Sequence, residues 1–277
     1  MSILDNIGEK FLREYLEKCS VYVKIDIDFA IELTKQFIKK HRGENVPYEK
    51  IKYMVDLENK WYHSIKQNTP DYSVYADPYY FCEVWLCWVN YSRRYLKEIN
   101  NPKSLFKKSI VQDMNNINTV IDLGCGFGYT TIGLKEIFTS AKVYGTNIKD
   151  TPQYNIAKSF EKETGIIIVD DCSNIETDLI FASEYFEHFQ KPIEHLTHIL
   201  KNTKCKHMLI ANTFNGKAIG HFDSYIHLNK YYDGKTISKM FNNTLRQNGY
   251  EKIETNCWNN RPNYWKKLEY NSIEKFL

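Results

Sequence analysis

The sequence predicts an α/β fold: a mostly parallel sheet with helices on both faces and a closing antiparallel hairpin, preceded by an all-helical region. Two observations carry this. From about residue 116 onward, short β-branched runs alternate with helical patterns, as strands joined by crossover helices do. Before that point apolar residues recur at helical spacing and no strand pattern intervenes. The division is a helical region over 1–115 and an α/β domain over 116–277. With 277 residues, 43% of them hydrophobic, the chain can bury a full core.

In the first region, Ile3, Leu4, Ile7, Phe11, Leu12, Tyr15 and Leu16 trace one helical face. Phe29, Ala30, Leu33, Phe37 and Ile38 trace a second, and Ile51, Met54, Leu57, Trp61, Tyr62 and Ile65 a third. Asp77-Pro78 reads as a helix start, because an acid can cap the first turn and proline suits its opening position. The helix that follows, from Phe81 through Trp85 and Trp88 to Leu96, is apolar on more than one face, which places it at the centre of the region. The aromatic cluster from Trp61 to Tyr95 could form a stacking wall for a planar substrate, but aromatics at helical spacing are more often core than pocket, and they read as core here. Asn100-Asn101-Pro102 breaks the run, and a short helix around Leu105–Val111 is expected before the first strand.

In the second region the pattern predicts strands over Thr119–Leu123, Lys142–Ile148, Ile166–Val169, Leu179–Ala182 and His207–Asn212. Helices are expected over Tyr129–Phe138, Gln153–Glu161, Ile193–Leu200 and Lys235–Gln247. Two last strands, Lys252–Cys257 and Tyr264–Tyr270, joined by a turn at Asn259–Asn263, read as the hairpin.

The first strand runs into the stretch Val120-Ile121-Asp122-Leu123-Gly124-Cys125-Gly126-Phe127-Gly128, whose alternate glycines let a ligand approach the backbone before a helix begins. A dinucleotide site needs glycines at G-x-G-x-x-G spacing, and Tyr129 stands where the third would fall. The run instead resembles the first motif of class I S-adenosylmethionine-dependent methyltransferases. That resemblance implies a Rossmann-like, seven-stranded sheet and S-adenosyl-L-methionine as cofactor. It further implies that Gly124, Cys125 and Gly126 wrap the methionine end, with Asp122 near its amino group.

In open α/β sheets ligands lie beyond the carboxyl ends of the strands, so each strand end is a candidate. Asn147 ends the second strand at the place where the family's second motif carries an acid for the ribose hydroxyls; an amide can both donate to and accept from a hydroxyl. After the third strand, Asp171, with Asp170 second, matches the acid that faces the adenine amino group, and Cys172 follows it. The fourth strand ends in Ser183-Glu184-Tyr185-Phe186-Glu187-His188, which resembles the family's fourth motif in its S-E-x-x-E-H form. Ser183 joins the cofactor set. If the segment is helical, Glu184, Glu187 and His188 share one face and can position and deprotonate an acceptor, with His188 as first choice of base. The same three could hold Mg, Mn or Zn, as in relatives where E-x-x-E-H joins a later histidine; His221 and His227 are the histidines on offer.

The expected activity is methyl transfer to a hydroxyl or amine of a small molecule, with an O-methyl product favoured. Methyl transfer to nucleic acid, at a 2′-hydroxyl or a base, is the alternative, but the net charge is only +3 and evenly spread, which gives no polyanion footprint. A non-catalytic S-adenosylmethionine-binding module would not need the acid–base cluster. Asp77-Pro78-Tyr79-Tyr80 falls one proline short of the D-P-P-Y tetrad of adenine amino-methyltransferases, and no Pro-Cys dipeptide supplies a cytosine-methylating nucleophile. Seven cysteines without a C-x-x-C pair read as reduced buried thiols. The charged N-terminus reads as neither a signal peptide nor a membrane span, and a cytoplasmic location with no membrane partner is expected.

Overall fold

The computed structural model describes residues 2–101, 113–255, 257 and 261–268. The helix expected around Leu105–Val111 lies outside the described residues, as do parts of the turn after Cys257 and the end of the last predicted strand.

Five helices come first: α1 (Glu9–Cys19), α2 (Ile27–His41), α3 (Tyr48–Lys66), α4 (Phe81–Cys87) and α5 (Arg93–Asn100). Their ends follow local chemistry. Asp26 caps α2 by accepting from the Phe29 amide at 3.0 Å, and Lys39, Lys40 and His41 complement the dipole in its last turn. Asp77-Pro78, however, does not start α4. Asp77 Oδ1 accepts from the Tyr79 amide at 2.8 Å and caps a turn after a short 3-10 segment at Tyr72–Ala76, so the helix begins at Phe81. The long apolar helix is also broken, by a π-turn at Trp88–Ser92 between α4 and α5.

The sheet contains β1 (Thr119–Leu123), β2 (Lys142–Thr146), β3 (Ile167–Val169), β4 (Leu179–Ser183) and β5 (His207–Ala211), all parallel. Helices α6 (Tyr129–Ile137), α7 (Pro152–Ser159), α8 (Glu161–Thr164) and α9 (Pro192–Thr203) connect them. A two-stranded ribbon, β6 (Tyr225–His227) and β7 (Lys230–Tyr232), precedes α10 (Gly234–Gln247), and β8 (Tyr250–Ile253) and β9 (Asn263–Lys267) close the sheet. The strand order is β3-β2-β1-β4-β5-β9-β8, with β9 antiparallel between β5 and β8. This is the expected mostly parallel seven-stranded sheet with its antiparallel hairpin, although each hairpin strand begins one or two residues earlier than the pattern suggested. The β6–β7 ribbon was not legible: its two-residue loop puts Leu228 (φ 46°) and Asn229 (φ 61°) in the left-handed region, and leucine carries no such turn signal.

The order reverses between β1 and β4, so the carboxyl ends of these strands border a crevice. The helical region does not stand apart from that crevice. One hydrophobic cluster runs from Ile3 and Leu16 through Trp85 and Leu96 to Val120, Phe181 and Trp265, on both sides of the boundary expected at 115/116. At its centre the Tyr15 ring lies 4.7 Å from that of Tyr129, 5.4 Å from Phe127 and 5.7 Å from Trp85. Tyr129, which replaces the third fingerprint glycine, is therefore the link between the glycine loop and α1 and α4. None of the helices among the described residues is long and apolar enough to cross a membrane.

Candidate active site

A cavity of about 870 Å³ opens at the crevice, near the upper end of the ~300–1,000 Å³ usual for small-molecule sites. One wall is the loop between β1 and α6, where Gly124, Cys125 and Gly126 line the space as expected. Gly126 (φ 53°) and Gly128 (φ 90°) occupy the left-handed region that glycine alone adopts freely. Gly128 is the N-cap of α6 and offers no side chain, so the first amides of the helix are left for an anionic ligand group. The loop is held from behind: the Gly124 amide donates to Thr146 Oγ1 at 3.0 Å and the Cys125 amide to the Thr146 carbonyl at 2.9 Å.

Asp122 departs from expectation. It does not line the cavity; it is 2% exposed and accepts from the Thr131 hydroxyl at 2.7 Å, tying β1 to α6. Its strand alternation explains this, since the residue points into the sheet–helix layer rather than beyond the strand end. Burial pushes its carboxyl up to about 7, with the Thr131 bond opposing. An unfolded aspartate would titrate near 3.8, so as pH rises from about 4 the unfolded chain releases its proton before the folded one does, and stability falls until about pH 7. Asp122→Asn keeps the acceptor for Thr131 without the charge. The melting temperature of this variant is expected to exceed that of the parent by a few degrees at pH 8 and by less at pH 5, as scanning calorimetry would record; an equal or larger gain at pH 5 would contradict the assignment.

The other strand ends do meet the cavity. Asn147 lines it, but its amide is engaged: Nδ2 donates to the Gly126 carbonyl at 2.6 Å and Oδ1 accepts from the Ile148 amide at 2.9 Å. Asn147 thereby pins the glycine loop, and its remaining lone pair and hydrogen are what a ribose hydroxyl would meet. Asp170, Asp171 and Cys172 line it as well. The amide of Ser173 donates to Asp171 Oδ1 at 2.8 Å and holds that carboxyl below its usual range. Ser183 lines the cavity too, and accepts from the Ser92 hydroxyl at 3.1 Å.

Beyond Ser183 the chain does not form the helix on which a shared face of Glu184, Glu187 and His188 depended. The Glu184 amide donates to the Ala211 carbonyl at 2.8 Å, extending the β4–β5 pairing by one residue, and Glu184 itself then turns at φ 50° before a single 3-10 turn over Phe186–His188. A non-glycine residue in that region is uncommon and gathers at functional sites. Helical spacing is thus not what joins the motif, yet the turn brings Glu184 and Glu187 together with His221: one ligand atom from each lies within 4.8 Å of the others. Glu184 lines the cavity, whereas Glu187 lies behind it, with Oε1 accepting from the Thr213 amide at 2.6 Å and Oε2 buried without a partner among the described residues.

Burial raises both carboxyls. Glu184 is pushed up to about 7 despite the opposing charge of Arg261, and Glu187 rises well above the usual range, with the Glu184 charge adding to the effect. His221 Nδ1 lies 2.9 Å from the Gly216 carbonyl, to which it donates, leaving Nε2 open. The indole of Trp61 donates to the His221 carbonyl at 2.6 Å and fixes that segment. His188 lines the same cavity but stands aside from this group. Its Nδ1 shares a 2.9 Å hydrogen bond with the Tyr75 hydroxyl, its ring lies 4.9 Å from that of His221, edge to face, and burial holds it well below its ordinary range. His227 is elsewhere: Nδ1 is 3.1 Å from Glu194 Oε1, outside the cavity lining.

Lining residues that the sequence reading did not assign to the site include Tyr75, Glu83, Tyr91 and Arg261. Tyr91 and its neighbours Trp88 and Ser92 are turned toward the cavity at the π-turn, so some of the aromatics read as core are wall. Arg261 donates to Thr213 Oγ1 at 2.6 Å and brings a positive charge near Glu184.

Comparison with known proteins adds a family. Residues 89–255 match a family described as a methyltransferase domain. No curated protein matches the chain. Among solved structures, the chain is similar to a SAM-dependent methyltransferase from Aquifex aeolicus, at 16% identity over 62% of this chain and 94% of that one, with a TM-score of 0.37. It is similar to the plantazolicin methyltransferase BpumL in complex with a pentazolic desmethyl analogue and SAH, at 16% identity over 59% and 62% of the two chains and a TM-score of 0.40. It also resembles the O-methyltransferase of a trans-AT polyketide synthase multienzyme of Brevibacillus brevis in complex with S-adenosyl-L-homocysteine, at 20% identity over 44% and 48%, with a TM-score of 0.31.

Proposed function

The chain belongs to the methyltransferase-domain family whose match covers residues 89–255, and from that premise we propose that it is a class I, S-adenosylmethionine-dependent enzyme that methylates a hydroxyl or amine of a small molecule held beside the β1–α6 loop. The observation that supports this reading is one cavity that joins the glycine loop and the strand ends of β2 and β3 to Glu184 and His188. The cofactor, when bound, supplies a sulfonium methyl primed for in-line displacement. What is left to the protein is alignment, exclusion of water and removal of a proton.

Gly124, Gly126 and the start of α6 receive the methionine end, and Asn147 and Asp171 flank the nucleoside. Glu184 is the proton acceptor, because its carboxyl titrates near neutrality at the cavity wall. Burial keeps the Tyr75 phenol protonated, and with its hydroxyl donating to Nδ1 the His188 ring keeps its own proton on Nε2. His188 in that tautomer donates to the acceptor and orients it. Residues 1–115 close over the acceptor and set specificity. Calorimetry tests the cofactor assignment directly: S-adenosylhomocysteine binds the purified protein and NAD does not. Tight NAD binding would reverse it.

A metal-assisted version is favoured by one feature, the partnerless Oε2 of Glu187 beside Glu184 and the open Nε2 of His221. Two carboxylates and an imidazole oriented by a backbone carbonyl suit Mn²⁺, Zn²⁺ or Mg²⁺, which would draw an acceptor hydroxyl toward ionisation. Chelation would then abolish methyl transfer while leaving S-adenosylhomocysteine affinity intact, and added Mn²⁺ would restore it. Full activity after chelation would leave Glu184 acting alone.

A further inference from the structure

Glu83 has no place in the chemistry described so far. It lies on α4, 8% exposed, and what remains accessible faces the cavity. Its side chain makes no hydrogen bond among the described residues. Two neighbouring carboxylates each have an opposite charge to answer them. Lys217, also on the cavity wall, is close enough to favour the charge of Glu58, and Arg261 does the same for Glu184. For Glu83 no such cation acts among the described residues: burial pushes its carboxyl up to about 8, and the charges of Glu58 and Glu184 add to the effect.

A buried carboxyl with no partner is costly to the fold, which makes its retention on a cavity wall a sign of a ligand that supplies the missing charge. The surroundings specify that ligand further. Tyr80, Glu83 and Cys87 follow one another along one side of α4, and Tyr75, Tyr91 and Trp88 add aromatic rings to the same cavity. Aromatic faces attract cations and exclude anions, and they suit an ammonium or guanidinium better than a hydroxyl.

We propose that the methyl acceptor carries a basic nitrogen, a protonated amine or guanidine, which Glu83 and the surrounding tyrosines hold as an anchor. The proposal rests on the methyl-transfer reading of the cavity and adds the acceptor's chemical class to it. The anchor need not be the atom methylated.

Calorimetry with two probes of one shape tests it. Protein saturated with S-adenosylhomocysteine is titrated with phenethylamine and with 2-phenylethanol. The amine is expected to bind at least about tenfold more tightly, and Glu83→Gln, which keeps the size and removes the charge, is expected to bring the ratio below about threefold. Equal binding of the two probes, absence of binding by both, or a preference that survives in Glu83→Gln overturns the proposal. The first comparison uses only the parent protein, so it stands even if the variant fails to fold. Failure of S-adenosylhomocysteine to bind at the outset would instead strike the methyl-transfer reading.

Discussion

Gly126→Val is expected to weaken S-adenosylhomocysteine binding by at least about a hundredfold, equivalent to about 2.7 kcal/mol. Two effects add. Gly126 sits at φ 53°, where an L-residue costs ~1–2 kcal/mol and a β-branched one more. A Cβ there would also stand 3.1 Å from Val84 Cγ1 of α4, tighter than ordinary packing allows, so the loop must shift or the branches must enter the cavity. Gly126→Ala meets the backbone cost and the Cβ contact but adds no branches, and a smaller loss is expected from it. Calorimetry on variants whose melting curves remain cooperative measures both. Undiminished affinity in the valine variant would show that the ligand does not use this loop.

Glu184→Gln is expected to lower kcat by about 10²- to 10⁴-fold, the range for loss of a general base, while S-adenosylhomocysteine affinity stays within threefold. His188→Ala is expected to cost less, because the ring orients rather than accepts. Rates measured with a methyl-labelled cofactor order the two variants. A larger loss from His188→Ala would make the imidazole the base, and parental rates in both would make the whole turn structural.

How much of this was legible in the sequence depends on what kind of signal each residue leaves. The sheet and the glycine loop were legible because β-branched runs and glycine spacing are local consequences of backbone geometry. Gly124, Cys125, Gly126, Asn147, Asp171, Cys172 and Ser183 all reached the cavity from strand ends that pattern alone located. Asp122 was placed wrongly because a residue one step before a strand end points to the opposite layer, and a motif does not state its own pleat. The segment Glu184–His188 was expected to be helical from spacing; its left-handed turn at Glu184 has no signature, since any residue type in that place would read the same. His221 and His227 were equivalent in sequence, and only the course of the chain after β5 separates the one beside Glu187 from the one paired with Glu194. Glu83 and Tyr91 lie in a run apolar on several faces, where periodicity cannot say which face meets a cavity instead of a neighbour.

The contacts of Tyr15 with Phe127 and Tyr129 bear on how this protein can be rebuilt. In a modular enzyme the portion that chooses the acceptor can be exchanged for another while the portion that grips the cofactor is kept. Here the glycine loop borrows its rigidity from an aromatic residue of the first long helix, so the grip is assembled from both portions. A graft that replaced α1 would therefore alter cofactor affinity along with acceptor choice, unless the donor sequence also presented a ring where Tyr15 stands.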